Sequence, residues 1–143
     1  MKRVKSENNK LPNHQSKKQS LEIFDMPGHL LRRMHQASQV IFDSEVSAAG
    51  FDLTSVQYAA MTVIDANPGI GQAALANAIA YDRPTTGGVI DRLEAKGYVR
   101  RENDPHDRRS RLLFLEDQGK KVLTKITPAV QNAQLQMLQG LTP

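Results

Sequence analysis

The sequence predicts a mainly α-helical protein with one small β-hairpin near its C-terminal end. Three observations lead to this fold class. Apolar residues recur at intervals of three and four along five separate segments, which is typical of helices with one buried face. Two short apolar stretches near residues 98 and 111 flank a segment rich in turn formers, which indicates a hairpin. A chain of 143 residues without an internal repeat favours a single domain.

The first predicted helix begins at Pro27, a residue favoured in first helical turns, and ends at Gly50. Its apolar stripe extends over about 22 residues, or about 33 Å at 1.5 Å per residue. A stripe of this length has few partners within a small domain. We therefore expect residues 26–50 to form a dimerisation helix in a homodimer.

Three short helices are predicted next. Thr54 and Gln57 have the spacing of a capping box at the start of the second helix. The third helix covers residues 72–80, whose alanines allow a neighbouring helix to lie close. Asp82 is expected to cap a fourth helix, and Gly97 to end it.

The hairpin and a last helix complete the chain. Residues 98–101 and 111–115 are the predicted strands, and a helix follows from about residue 117. Two short helices followed by a basic hairpin form the outline of a winged helix-turn-helix. We place a DNA-binding lobe at residues 51–116, between dimerisation helices at residues 26–50 and 117–143. Such units also serve as scaffolds, so a module that binds a protein partner without specific DNA binding stays open.

The positive charge is unevenly distributed. Residues 1–20 hold six basic residues and one acidic residue, a net charge of +5 in a chain that totals +4. This polar segment is predicted to be a disordered basic arm, either solvated or in contact with phosphates. Residues 83–111 carry eight basic residues against five acidic ones, within a remainder that is nearly neutral. A local basic stretch of this kind is typical of a nucleic-acid-binding surface.

Composition excludes several classes of protein. The chain has no cysteine, which excludes disulfides, thiolate zinc sites and a cysteine nucleophile. No apolar run approaches the roughly 18 residues that a membrane span requires. Two acids interrupt the apolar stretch at residues 21–25, so no signal peptide is predicted. We therefore expect a cytoplasmic protein that does not bind membranes.

Four motifs occur in the order and spacing of a known family. They are Leu53-Thr54…Gln57, Leu75-Ala76, Asp91-Arg92-Leu93-Glu94-Ala95-Lys96-Gly97-Tyr98-Val99-Arg100, and Asp104-Pro105-His106-Asp107-Arg108-Arg109-Ser110. Through these motifs the sequence resembles the MarR family of bacterial transcriptional regulators, with a MarR-type winged-helix domain over residues 21–143. The resemblance implies a homodimeric repressor that binds a pseudo-palindromic operator in double-stranded DNA and is released by a small molecule.

The resemblance also implies DNA-binding residues. Residues 82–97 become the recognition helix, and the residues facing the groove at its start are Arg83, Pro84, Thr85 and Thr86. On the wing, Asp107 and Arg109 match an Asp-x-Arg pattern in which the aspartate orients the arginine for the minor groove. Arg108 is expected to share phosphate contacts.

Three features depart from the family pattern. Gly87-Gly88 replaces side chains that often contact DNA, and two glycines lower helix propensity by about 2 kcal/mol relative to alanine. Glu116 stands where members commonly have threonine, so we expect Asp117 to cap the last helix. The chain stops at Thr142-Pro143, a pair typical of a helix start, so we expect the natural chain to extend past Pro143; the alternative is a dimer without a terminal helix.

An effector pocket is implied between the dimerisation helices and the DNA-binding lobe. The polar candidates near it are Arg32, Arg33, His35 and Tyr58. Arginine with histidine suits a carboxylate or phenolate, so we predict a small aromatic or phenolic effector. The alternative is that both arginines are solvated and His35 packs at an interface.

No catalytic, cofactor or metal site is predicted. His29 and His35 are six residues apart and face different sides of one helix. Residues 104–107 form a turn whose composition requires no ion, and Gly69-Ile70-Gly71 lacks the preceding strand and final glycine of a dinucleotide loop. No serine or threonine has a base at matched spacing, so we predict that the protein is not an enzyme.

Overall fold

The computed structural model describes residues 22–139 and confirms a mainly helical fold with a small antiparallel sheet. The elements, in chain order, are α1 Pro27–Ala48, α2 Ser55–Ala66, β1 Ile70–Gly71, α3 Gln72–Ala78, α4 Arg83–Ala95, β2 Val99–Asn103, β3 Arg111–Leu115 and α5 Asp117–Leu138. The predicted arm over residues 1–20 and the predicted extension past Pro143 lie outside the described residues. Two compact units divide the chain within α1, one ending at Gln36 and the other beginning at Ala37.

The local signals for helix ends are confirmed. Thr54 Oγ1 accepts from the Gln57 amide at 3.3 Å, and the Thr54 amide donates to Gln57 Oε1 at 3.1 Å, which completes the capping box. Asp82 caps α4. Gly97 follows α4 with φ +72°, a conformation that glycine adopts without strain.

The prediction for the start of α5 was wrong. The N-cap residue is Glu116, and Asp117 is already in the first helical turn. The Glu116 side chain makes no capping hydrogen bond, and its Oε1 instead lies 3.6 Å from Arg100 Nη1. Glu116 is therefore the N-cap by its backbone, while its side chain pairs with β2.

The predicted hairpin belongs to a three-stranded sheet with the order β1-β3-β2. β3 pairs with β2 along its whole length, and with β1 at Ile70–Leu113 and Gly71–Leu112. The third strand, β1, was not predicted, because two residues are too few to show an alternating pattern.

The core of the unit beginning at Ala37 joins the helix-turn-helix to the sheet. The large apolar side chains with no exposed surface come from α2, α3, α4, β3 and α5; they are Met61, Ile64, Leu75, Ile90, Leu93, Leu113 and Ile126. Burying each such side chain contributes about 1.5–3 kcal/mol. The same core thus supports both α4 and the base of the hairpin, which fixes these two elements relative to each other. No helix within residues 22–139 combines the length and hydropathy needed to cross a membrane.

Candidate nucleic-acid interface

The first turn of α4 presents three of the four predicted groove-facing residues. Arg83, Pro84 and Thr85 are exposed. Asp82 Oδ1 accepts from the Thr85 amide at 2.7 Å, and Oδ2 accepts from the Thr85 hydroxyl at 2.8 Å. These two hydrogen bonds, that of the amide above all, hold the pKa of Asp82 below its ordinary value. The turn is therefore anchored by an ionised carboxylate.

The structure removes Thr86 from the predicted groove-facing set. Its side chain has no exposed surface, and its Oγ1 donates to the Asp82 carbonyl at 2.8 Å. It lies on the same face of α4 as the buried residues Val89, Ile90 and Leu93. Thr86 therefore acts as part of the core rather than as a surface donor.

The wing tip, residues 104–110, is shaped by two aspartates. Asp104 Oδ1 accepts from the His106 amide at 2.8 Å, and Asp107 Oδ1 accepts from the Arg109 amide at 2.9 Å. Asp107 thus holds the backbone of Arg109, and the orientation of its guanidinium by Asp107 is still a prediction. Arg108 and Arg109 are exposed and form no ion pair with any residue between 22 and 139. The tip therefore presents two guanidinium groups without an ion pair on a hydrogen-bonded turn that also carries two carboxylates.

Arg101 connects the wing base to α4. We use wing base for Arg100 and Arg101 of β2 together with their carboxylate partners. Arg101 Nη2 lies 2.5 Å from Asp91 Oδ1, and Nη1 pairs with Glu94. Burial acts to lower the pKa of Arg101, but the hydrogen bond to Asp91 and the charges of Glu94 and Asp91 together raise it. Its charge is therefore neutralised within the protein.

Arg100, the neighbour of Arg101, is also paired. Its Nε lies 2.9 Å from Glu102 Oε1, and its guanidinium lies 4.7 Å from the ring centroid of Phe114. The pKa of Arg100 is raised, chiefly by the hydrogen bond to Glu102. This guanidinium faces carboxylates of the sheet and of the start of α5.

The basic residues of the lobe fall into two sets, those with an ion pair to a carboxylate and those without one. Arg100, Arg101 and Lys96, the last bound to Asp52 at 3.0 Å, have carboxylate partners. The set without an ion pair in the described part of the chain is Arg83, Arg92, Arg108, Arg109 and Arg111. The arginines without an ion pair thus lie on α4, at the wing tip and at the start of β3, where they are available for contact with a polyanion.

The predicted effector residues fall in two different compact units. Arg32, Arg33 and His35 are exposed residues of α1 in the unit ending at Gln36. Tyr58 is a half-buried residue of α2 in the other unit, with its ring centroid 6.1 Å from that of Phe42. Their joint role is still a prediction.

Sequence reasoning missed the clamp formed by Arg101, because its partners belong to another element. A signal was available in the spacing of Asp91 and Glu94, which are three residues apart and so share one side of α4. Two carboxylates on one side of a helix indicate a cation nearby, but only the fold shows that Arg101 supplies it.

Comparison with known proteins settles the family. The MarR family model matches residues 53–110, which extend from just before α2 through the wing tip. The transcriptional regulator HosA of Escherichia coli O111:H- is 38% identical over 100 residues, which are 70% of this chain and 71% of HosA. The chain belongs to the MarR family. Its relatives in that family are transcriptional regulators.

Two solved structures of MarR-type regulators are also similar to this family member. BpsR of Bordetella bronchiseptica, whose DNA binding is regulated by 6-hydroxynicotinic acid, has a TM-score of 0.72 and 30% identity, covering 81% of this chain and 86% of BpsR. The transcriptional repressor CouR, bound to a 23-mer DNA duplex, has a TM-score of 0.72 and 30% identity, covering 84% of this chain and 83% of CouR. The MarR fold of this chain thus occurs in regulators that bind DNA and respond to small molecules.

Proposed function

We propose that this MarR-family chain is a homodimeric repressor that binds a pseudo-palindromic operator in double-stranded DNA. The observation that carries the proposal is the pairing pattern of its arginines. Those at the start of α4 and at the wing tip have no carboxylate partner among residues 22–139, whereas those at the wing base are neutralised. A surface that binds another protein through apolar contacts does not require arginines without ion pairs in one region and paired arginines in another.

In this proposal each protomer reads DNA with two elements. The N-terminal turn of α4 enters the major groove, where the Arg83 guanidinium and the Thr85 hydroxyl supply donors and Pro84 supplies an apolar contact. The positive end of the α4 dipole adds attraction for phosphates. Arg109 enters the minor groove, whose narrow A·T tracts attract guanidinium groups, and Arg108 contacts the backbone.

The exposed apolar surface supports the dimer. In the unit ending at Gln36 the exposed large apolar residues are Ile23, Phe24, Met26, Leu30, Leu31 and Met34. Leu135 and Leu138 of α5 are also exposed, at 65% and 58%. Exposed large apolar side chains in such number favour a protein interface. A two-fold dimer also supplies two recognition helices for half-sites about 34–36 Å apart.

A small aromatic or phenolic acid is the proposed effector, bound by Arg32, Arg33, His35 and Tyr58. The regulation of BpsR by 6-hydroxynicotinic acid supports this chemistry, because that ligand combines an aromatic ring with a carboxylate. We expect 6-hydroxynicotinic acid or benzoic acid to release the protein from DNA, and the double variant Arg32→Gln/Arg33→Gln to resist release. Equal release of the variant and the parent would contradict this assignment.

The test of DNA binding begins with in vitro selection from a random duplex library by the full chain. We expect a palindromic consensus, and fluorescence anisotropy should show tighter binding to this operator than to random duplex. Light scattering should give a dimer at micromolar concentration. Selection without a consensus would contradict sequence-specific binding and favour a module that binds a protein partner.

A further inference from the structure

The Arg101 clamp, formed by the half-buried Arg101 with Asp91 and Glu94, attaches the hairpin to α4 below the wing tip. The Arg101 side chain is only 21% exposed, although it is charged. In the sheet Arg101 lies opposite Leu113, which is fully buried. None of the residues from 102 to 112, which run from this pair around the tip and back, is buried. Beyond the backbone ladder, the ion pairs of the clamp therefore connect this part of the hairpin to α4.

A small change in the direction of the hairpin changes the position of the wing tip. Residue 104 begins the tip three positions after Arg101, which is a distance of about 10 Å at the rise of a β-strand. A tilt of the hairpin at its base therefore moves Arg109 by a considerable fraction of the minor groove, which is only about 6 Å wide. At the same time α4 must stay in the major groove of the same duplex.

We propose that Arg101 is a positioning residue. Through its ion pairs with Asp91 and Glu94 it holds the wing tip at the position relative to α4 that lets the tip and the helix bind one operator. This inference rests on the proposed function and adds to it how the two reading elements are coordinated. The clamp connects the elements directly, because Asp91 and Glu94 belong to α4 and Arg101 belongs to β2.

A different role for the ion pairs predicts an effect of opposite sign. Asp91 and Glu94 side chains are 66% and 42% exposed on the helix that approaches DNA. If Arg101 served only to neutralise them, removing both carboxylates would strengthen DNA binding, since two negative charges facing phosphates would disappear. If the three residues act as a clamp, the same change weakens operator binding, although the protein becomes more positive.

The decisive variant is Asp91→Asn/Glu94→Gln, and its control is Glu102→Gln/Glu116→Gln. The control removes the two carboxylates around Arg100 and makes the same change of charge, but it leaves the contacts between α4 and β2 intact. The probe is the duplex obtained by in vitro selection with the parent protein, compared with a random duplex of equal length. Each variant is also made in the Arg109→Ala background, and circular dichroism and thermal melting check its fold.

We expect Asp91→Asn/Glu94→Gln to lose about threefold to tenfold in operator affinity, which is no more than the loss from Arg109→Ala. The control should bind as tightly as the parent or more tightly. In the Arg109→Ala background the loss should shrink to less than about twofold, because a tip without its guanidinium gains nothing from correct placement.

Two results would overturn the proposal. One is operator affinity of Asp91→Asn/Glu94→Gln that equals or exceeds that of the parent, and the other is a loss that persists undiminished without Arg109. If the double variant does not fold, the single variant Asp91→Asn is judged by the same criteria. Failure of the proposed function looks different, since selection by the parent protein would then give no operator at all.

Discussion

The wing tip and the wing base use the same kinds of residue for different purposes. At the tip, Asp104 and Asp107 accept hydrogen bonds from backbone amides two residues further on, which leaves the neighbouring arginines without partners. At the base, carboxylates bind guanidinium groups directly, as Asp91 binds Arg101 at 2.5 Å. Aspartate therefore shapes the backbone in one region and neutralises charge in the other.

This difference shows why a charge count over the whole lobe is a poor guide to its binding surface. The net charge of residues 83–111 includes guanidinium groups that are already compensated inside the fold, such as those of Arg100 and Arg101. A polyanion such as DNA interacts with the guanidinium groups that have no carboxylate partner in the protein. Substitutions at four positions, with matched controls, test the comparison from the largest expected effect to the smallest.

Gly119→Ala should disrupt the packing of α5 against the sheet that carries the wing base. An added Cβ would lie 2.3 Å from the Tyr98 carbonyl oxygen and 3.0 Å from Leu115 Cδ1, so α5 must move away from the sheet. We expect a loss of about 2–3 kcal/mol in the free energy of unfolding, measured by urea denaturation. The matched control is Gly88→Ala, where a Cβ meets nothing within 4 Å and should stabilise α4 by about 0.5–1 kcal/mol. Equal stability of the two variants would contradict this packing argument.

Arg109→Ala should weaken DNA binding by the wing tip without disturbing the fold. We expect operator binding to weaken by about 1–3 kcal/mol, because a guanidinium without an ion pair in the protein is lost from the groove. The melting temperature should stay near that of the parent, since Arg109 has no ion pair in the described chain. Arg100→Gln makes the same charge change at the base, where the guanidinium is already paired, and should weaken binding less. Anisotropy titrations that gave equal losses would remove the distinction between tip and base.

Asp107→Ala and Asp107→Asn test whether the wing tip depends on the hydrogen bond that Asp107 accepts from the backbone or on its charge. If Asp107 acts by accepting from the Arg109 amide, asparagine can replace it and alanine cannot. We expect Asp107→Ala to weaken operator binding by about 0.5–1.5 kcal/mol, the usual contribution of one hydrogen bond. Asp107→Asn should stay close to the parent in the same anisotropy assay. Similar losses in both variants would show that the charge of Asp107, rather than its bond to the backbone, is what matters.

Asp82→Asn should have the smallest effect, and one that depends on pH. The Thr85 amide and hydroxyl lower the pKa of Asp82 from 3.8, so the ionised form stabilises the folded state. This contribution is fully present above the unfolded value and is lost as the pH falls through the lowered folded value. The stability difference between parent and variant should therefore be greatest near neutral pH and should narrow in acid, as followed by urea denaturation at several pH values. A difference independent of pH would show that the charge of Asp82 contributes nothing.

Local chemistry made much of this fold predictable. The capping box at Thr54, the cap at Asp82 and the glycine stop at Gly97 each depend on residues within a few positions, and the structure confirms all three. The burial of Thr86 was equally available from the sequence, because Thr86, Val89, Ile90 and Leu93 follow one helical face. The resemblance to the family predicts instead that Thr86 faces the groove, and this prediction conflicts with the helical spacing.

Features that depend on distant residues were not predictable. β1 exists because Ile70 and Gly71 meet Leu113 and Leu112 across the sheet, and two residues alone carry no strand signal. The Arg101 clamp likewise needs α4 and β2 to be adjacent, which only the shared core brings about. The DNA contacts and the effector pocket stay predictions, because they depend on molecules and on a second protomer.

The position of β2 at the end of the sheet has a consequence for solubility. An unpaired strand edge is a template on which other chains can add strands and aggregate. Here β2 reads Val-Arg-Arg-Glu-Asn, and a run dominated by charged and polar side chains resists such stacking. Arg101, which pairs with α4, therefore also belongs to a charged strand edge that disfavours aggregation through added strands.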